Sequence, residues 1–130
     1  MLGFARLKFN YILFFTLIFL ASCGSKGFGE KAIRGNFELY FTSEINERYV
    51  SGILDYYEDN GLILEQKHSA QITSNEESFV LKVIPGKPLN DTIALNLKIL
   101  EAEIKADVFE NRNFKILLCD AFFNPLKEQF

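Results

Sequence analysis

The sequence has little of what most enzyme sites are built from. Its 130 residues contain one histidine, His68, two cysteines, Cys23 and Cys119, and no tryptophan. A single histidine and two distant cysteines give no zinc-ligand spacing, and the chain has neither a glycine-rich phosphate loop nor a nucleophile elbow. We therefore expect no metal, no cofactor and no catalytic residue, and we predict that the protein is not an enzyme.

Runs of basic residues are also missing. No stretch of Lys or Arg forms a stripe that would follow phosphates, which argues against nucleic acid and anionic lipid headgroups as partners of the folded part. All 17 acidic residues lie after the first 22 positions, whereas Arg6 and Lys8 lie within them. Loss of these two residues would move the net charge from −3 to about −5, a balance that favours solubility.

The start of the chain has the three regions of an export signal. The basic residues Arg6 and Lys8 precede an apolar run at 11–20, and the small residues Ala21 and Ser22 follow it. The apolar run is about half the roughly 20 residues that a membrane-spanning helix needs. We therefore predict a signal peptide over residues 1–22 that is removed, and not a permanent transmembrane anchor.

Residues Leu20-Ala21-Ser22-Cys23 resemble the lipobox of bacterial lipoproteins, in which an aliphatic residue and two small ones precede an obligatory cysteine. The resemblance implies acylation of Cys23 through a thioether, cleavage before it, and attachment to the membrane. Two or three acyl chains hold a protein stably, whereas one chain, at about 0.8 kcal/mol per buried methylene, holds it only marginally. The alternative is an ordinary signal-peptidase site followed by an unmodified Cys23.

Residues 23–34 begin with this cysteine and continue as a glycine-rich polar stretch without periodicity, which predicts a flexible tether. A dozen such residues would place the domain roughly 20 Å from the lipid. Gly24 stands where an aspartate would resemble an inner-membrane retention signal. The predicted location is therefore the bacterial cell envelope, with the outer membrane favoured in a cell that has two membranes.

Hydrophobic periodicity predicts a single domain over residues 35–130. Alternating apolar residues indicate strands at 37–41, 68–72, 79–83 and 114–118, with the second and third forming a hairpin. Ser43 and Asp91 are the predicted N-caps of two helices, the first ending at Asn60-Gly61 and the second near Val108. Residues 93–99 also alternate like a strand, but the helix formers at 101–106 favour a helix.

The order strand, helix, strand, strand, helix, strand is that of a split βαβ unit. We therefore predict an α+β, ferredoxin-like sandwich with a four-stranded antiparallel sheet and two helices on one face. The other face would be open and would carry the candidate contact residues Tyr40, Val80, Lys82, Ile84 and Leu117. It would bind a protein partner or a second copy of the chain, unless its apolar groups are scattered or the chain end covers them.

Residues 108–109, 114–120 and 123–127 resemble the end of a small domain found in uncharacterised bacterial membrane-associated proteins. The start of that domain is similar to residues 37–61 here. The resemblance covers nearly the whole globular part and implies one compact domain. It implies no activity, cofactor or catalytic residue.

Three functions from different classes fit these observations. In order of preference, they are a lipid-anchored interaction or accessory module, an inhibitor or immunity-like protein that binds an envelope enzyme or toxin, and an enzyme. An apolar open face would favour the first, an acidic groove the second, and a cleft joining His68, Cys119 and Asp120 the third. More ordinary roles for these three are a satisfied inward histidine, a small buried apolar residue and an aspartate bonded to backbone amides in a turn.

Overall fold

The computed structural model describes residues 27–130, so the predicted signal peptide, Cys23 and the start of the predicted tether lie outside the described residues. Within this range the elements are β1 (Glu30–Arg34), β2 (Phe37–Phe41), α1 (Glu47–Asp59), β3 (His68–Asn75), β4 (Ser78–Val83), α2 (Asp91–Asp107) and β5 (Phe114–Leu118). The strands form one sheet in the order β1-β2-β3-β4-β5. Neither helix of residues 27–130 combines the length and the apolar character that crossing a bilayer requires.

The strand pairing differs from the prediction, although the α+β class and the position of both helices on one face agree with it. The expected four-stranded antiparallel, ferredoxin-like sheet is wrong, because β2 pairs in parallel with β3, and β4 with β5. A helix joins each parallel pair, as the long crossover between parallel neighbours requires. Strands β2 and β3 run in one direction and β4 and β5 in the other, while both connecting helices lie on the same face of the sheet. The two crossover connections therefore have opposite handedness, so one of them is an exception to the rule that such connections are right-handed.

Strand β1 lies in the segment that we predicted to be part of the tether. It pairs antiparallel with β2, from Glu30 opposite Phe41 to Arg34 opposite Phe37. The two-residue turn Gly35-Asn36 joins the strands, and Gly35 has a φ of +60°, which the first central position of a type II′ turn requires. The folded body therefore begins before residue 35, and the predicted boundary at this residue is too late. The sequence did not reveal β1 because an edge strand with charged residues shows no alternation of apolar and polar side chains.

The helix caps lie near the predicted positions but on different residues. The side chain of Asn46, and not that of Ser43, accepts a backbone N–H of the first turn of α1 at 3.0 Å. In the same way Asn90, and not Asp91, caps α2 with a bond of 2.9 Å. Asp91 instead occupies the first turn of α2, where a carboxylate complements the helix dipole.

The core lies between the two helices and one side of the sheet, which we call the helix face. Its fully buried side chains come from alternate strand positions and from both helices, and they include Leu39, Ile53, Ile72, Leu81 and Ile104. The residues predicted to point inward from β2, β4 and β5 are confirmed: they belong to this core or are half-buried against it. Leu118 is the exception, because it is buried but lies outside the main cluster. Helix α2 contributes only Ile104 as a fully buried residue, so much of its surface is left available.

Candidate functional site

The side of the sheet opposite the helices, which we call the second face, is where the sequence placed the candidate contact residues. Strand register puts Tyr40, Val80, Lys82 and Leu117 on this face, as predicted. Val80 is only 8% exposed, and Tyr40, Lys82, Ile84 and Leu117 are half-buried. The face predicted to be open is thus partly covered.

The cover comes from segments near both ends of the described chain. The ring of Phe28 meets those of Tyr40 and Phe123 edge-on, at centroid distances of 5.6 and 5.1 Å, and Tyr40 and Phe123 lie 6.0 Å apart. We call these three residues the aromatic cluster. The side-chain amide of the buried Gln71 donates to the carbonyl of Phe28 at 2.9 Å, which fixes the entering chain to the sheet. Edge-to-face pairs of this kind stabilise a fold beyond their buried area.

A turn built by Asp120 places Phe123 in this cluster. The Asp120 carboxylate accepts the backbone N–H groups of Phe122 at 2.8 Å and of Asn124 at 3.0 Å. These bonds, that of Asn124 first, hold the pKa of Asp120 below its ordinary value. The predicted turn role of Asp120 is confirmed. The turn buries Phe123 to 4% exposure and leaves its neighbour Phe122 71% exposed.

Side chains also occupy the outer edge of β5. The Gln129 amide both accepts the Leu118 N–H and donates to the Leu118 carbonyl, each at 2.8 Å. The carboxylate of Glu101 accepts the N–H of Ile116 at 2.8 Å. These contacts satisfy backbone groups that could otherwise pair with another strand. Edge-to-edge association through β5 is therefore disfavoured.

Strand pairing gathers lysines on the second face that are far apart in sequence. Lys31, Lys82 and Lys115 stand at second-face positions of β1, β4 and β5, and Lys67 reaches the same face from the loop before β3. The Glu38 carboxylate, with its side chain 8% exposed, lies 2.9 Å from the Lys67 ammonium and 3.8 Å from that of Lys31. The bond from Lys67 holds the pKa of Glu38 below its ordinary value against the effect of burial.

A cleft lies between α1 and α2, on the side of the molecule away from the second face. It has a volume of about 420 Å³. Its lining is mainly apolar and consists of Tyr56, Asn60, Leu62, Ile93, Asn96, Leu97, Ile99, Leu100 and Glu103. Ile99 is 49% exposed, and Leu95, one helical turn earlier on the same side of α2, is 59% exposed. We call this hollow the interhelical cleft.

The interhelical cleft continues into an acidic hollow of about 300 Å³ that shares Tyr56 and Asn60 with it. Asp55, Asp59 and Asp107 line this acidic end. Asp55 is paired with Arg34 at 2.6 Å. The Tyr56 hydroxyl donates to the Glu103 carboxylate, and burial together with this bond raises the pKa of Tyr56 above its ordinary value. The cleft is therefore apolar at one end and acidic at the other.

The three candidate reactive side chains, those of His68, Cys119 and Asp120, do not line a common cleft. His68 lies on the helix face, where its Nε2 accepts the Leu64 N–H at 3.0 Å and burial lowers its pKa. Cys119 is fully buried beyond the end of β5, with its thiol 3.6 Å from the carbonyl of Leu117, and burial raises its pKa. Asp120 is engaged in its turn. The ordinary roles predicted for His68 and Cys119 are thus confirmed.

Two other observations bear on chemistry. Glu101 and Glu103 point to different partners, β5 and Tyr56, as their spacing on a helix predicts. Among residues 27–130, no group of three or more His, Cys, Asp or Glu side chains is placed to hold a metal ion.

Sequence reasoning missed the interhelical cleft as a candidate site. A signal for it was present, because the alternating Ile93, Leu95, Leu97 and Ile99 place apolar groups around a helix that can bury only one side. The cover over the second face had weaker signals: an isolated Phe28 among glycines and the Phe122-Phe123 pair in a turn segment. Neither gives a periodic pattern that would place it on the sheet.

No family model, no curated protein and no solved structure matches the chain. The resemblance of residues 37–61 and of the C-terminal segments to a small membrane-associated domain stays a prediction. The lipobox at Leu20-Ala21-Ser22-Cys23 also stays a prediction.

Proposed function

We propose that this protein is a lipid-anchored, non-enzymatic interaction module of the bacterial cell envelope, and that it binds a protein partner through the interhelical cleft. The observation that carries the proposal is the pair of exposed side chains Leu95 and Ile99 beside a cleft with an apolar lining. Contiguous apolar groups on a protein surface commonly mark a binding site. Anchoring at Cys23 would keep this site at the membrane.

Apolar burial provides the attraction in this proposal. At about 25 cal/mol per Å² of apolar surface removed from water, covering roughly 200–300 Å² contributes several kcal/mol before the costs of association. The half-buried Ile93 and Leu97 extend the apolar surface below the exposed pair. This is enough for a specific contact of modest affinity.

The acidic end of the cleft determines the chemistry of the partner. Asp59, Asp107 and Glu103 lie beside the apolar lining, so the proposed occupant is an amphipathic segment with apolar side chains and a neighbouring Arg or Lys. Opposite charges at the edge of a contact accelerate association and fix its orientation. An acidic or purely apolar segment would bind less well.

An inhibitor or immunity-like protein is the second candidate function. The specific observation in its favour is the same acidic end, which would suit a basic surface on an envelope enzyme or toxin. The proposed binding site is identical, and the two candidates differ in what the partner does.

The second face remains an alternative contact surface. Its uncovered part includes the exposed Lys31 and Lys115 beside the half-buried Lys82, Ile84 and Leu117. We prefer the cleft because Phe28 and Phe123 pack against Tyr40 and because Val80 is only 8% exposed, which leaves less free apolar area on the second face than the sequence suggested. The proposal assigns no catalytic residue.

Site-specific photo-cross-linking in living cells tests this proposal. A benzophenone amino acid replaces Ile99 in the cleft, Leu117 on the second face, or the exposed Ser51 on α1 as a control. We expect one discrete cross-linked product from position 99 and none from position 51. Adding Asp59→Lys and Asp107→Lys should remove the product from position 99, because the basic part of the partner would then be repelled.

Two results would contradict the proposal. A discrete product from position 117 with none from position 99 would assign the contact to the second face. Cross-linked products of equal yield from positions 99 and 51, unaffected by the two lysine substitutions, would show that the products come from random collisions with other proteins and not from a specific contact.

A further inference from the structure

The chain reaches the second face very soon after the predicted lipid. Phe28 follows Cys23 by five residues and is fixed by the Gln71 bond and by the rings of Tyr40 and Phe123. A fully extended chain spans at most about 3.6 Å per residue, so Phe28 lies within about 18 Å of Cys23. The effective tether is therefore much shorter than residues 23–34, and it enters the folded body on the second face.

The charges of the molecule are divided between its two sides. Among the described strand and loop residues, the second face carries Lys31, Lys67, Lys82 and Lys115, with Glu38 as the carboxylate between two of them. Helices α1 and α2 carry eight acidic residues and three basic ones. An anionic surface would therefore attract the second face and repel the helices.

Exposed apolar side chains occur on the second face and in the turn that packs against it. Ile33, opposite Glu38 in the register of β1 and β2, is 59% exposed. Phe122, in the turn that packs Phe123 against the sheet, is 71% exposed. Aromatic rings beside basic residues are typical of protein segments that enter the interface of a bilayer. The turn also contains Asp120, whose carboxylate is occupied by backbone N–H groups.

We propose that the second face and the turn at 120–124 lie against a phospholipid surface, so that the interhelical cleft points away from the membrane. Three observations agree on this orientation: the short connection from Cys23 to Phe28, the lysines of the second face, and the exposed Phe122. The inference rests on the lipid at Cys23 that the proposed function includes. It adds a second contact with the membrane, made by the folded domain itself.

The sequence alone argued against anionic headgroups as partners because it contains no run of basic residues. The sheet changes that conclusion, since the lysines come from β1, β4, β5 and the loop before β3 and become neighbours only after folding. Strand register forms this basic surface, so no run of basic residues in the sequence predicts it.

Fluorescence quenching in vesicles tests the orientation. The full mature chain, acylated at Cys23, is reconstituted with an environment-insensitive fluorophore on Phe122→Cys or, as the control, on Leu95→Cys of α2. Cys119 is fully buried and would not compete for the label. The vesicles contain phosphatidylcholine with a headgroup nitroxide lipid, either alone or with phosphatidylglycerol.

We expect stronger quenching at position 122 than at position 95, and a further increase at position 122 when phosphatidylglycerol is present. Lys82→Glu with Lys115→Glu should remove that increase, whereas Lys98→Glu with Lys105→Glu on α2 should preserve it. Equal quenching at both positions, or stronger quenching at position 95, would overturn the proposed orientation. Failure of lipidation is distinguishable, because the mass of the purified chain would then lack the acyl groups.

Discussion

Replacing Phe123 by alanine should destabilise the domain, although this residue lies outside the main core. Its side chain is 4% exposed and packs against Phe28 and Tyr40 on the second face. Phe→Ala changes in protein cores cost about 3–5 kcal/mol, and a cluster one layer thick can relax more than a core can. We therefore expect a loss of about 2–4 kcal/mol in the free energy of unfolding. Alanine keeps the β-carbon, so the strain of the φ of +61° at this position is largely unchanged.

Phe122→Ala is the matched control, since it removes the same side chain from the adjacent, 71% exposed position. This change should alter stability by less than about 0.5 kcal/mol. Urea unfolding of the mature chain in detergent, followed by far-ultraviolet circular dichroism, gives both values. A difference of less than about 0.5 kcal/mol between the two variants would refute the assignment of Phe123 to a packed cluster.

Three further outcomes follow from the structure. Leu81→Ala, at a fully buried position of β4, should cost about 2–5 kcal/mol in urea unfolding, and a cost well below 1 kcal/mol would contradict its place in the core. Gly29→Ala should cost more than about 2 kcal/mol, because the glycine has a φ of +97° and an added β-carbon would lie 2.4 Å from the carbonyl oxygen of Phe41, whereas Gly27→Ala should be neutral. Burial lowers the pKa of His68, so below about pH 6.5 the unfolded chain binds a proton more readily than the folded one and stability falls as the pH falls. Unfolding midpoints at pH 7.5 and 5.5 should show a smaller loss for His68→Gln than for the parent, and an equal loss would rule out this origin.

Local structure was largely predictable from the sequence because periodicity reports which side of an element is buried. The alternation at 37–41 and 114–118 predicted strands that the structure confirms, and the spacing from Ile45 to Tyr57 predicted α1. Strand β1 gave no such signal, since it is an edge strand of five residues with three charged side chains. Its membership in the sheet depends on pairing with β2, which is a tertiary contact.

The arrangement of the elements was not predictable in the same way. Alternation in β2 and β3 is the same whether the strands run parallel or antiparallel, so the ferredoxin-like order was an inference from element order alone. The cover over Tyr40 depends on Phe28 and Phe123, which stand in segments without periodicity. Sequence reasoning therefore placed the second-face residues on the correct side of the sheet but overestimated their exposure.

The ambiguous pattern at residues 93–99 was itself a sign of the interhelical cleft. Residues 93–99 fit both a strand and a helix, because apolar groups occur on more than one side. The structure resolves the conflict as a helix that buries Ile104 fully and leaves Leu95 and Ile99 exposed. An apolar excess on a helix is thus a reason to expect a surface contact there.

The proposed function depends on a lipid at Cys23 that attaches the interaction module to the membrane. Metabolic labelling with a radioactive fatty acid, comparing the parent chain with Cys23→Ala in the same cells, tests it most directly. We expect label in the parent, at the size expected after loss of residues 1–22, and no label in the variant, which should remain uncleaved or be released from the membrane. Label retained by Cys23→Ala, or absent from a correctly cleaved parent, would show that Cys23 is not the site of lipidation.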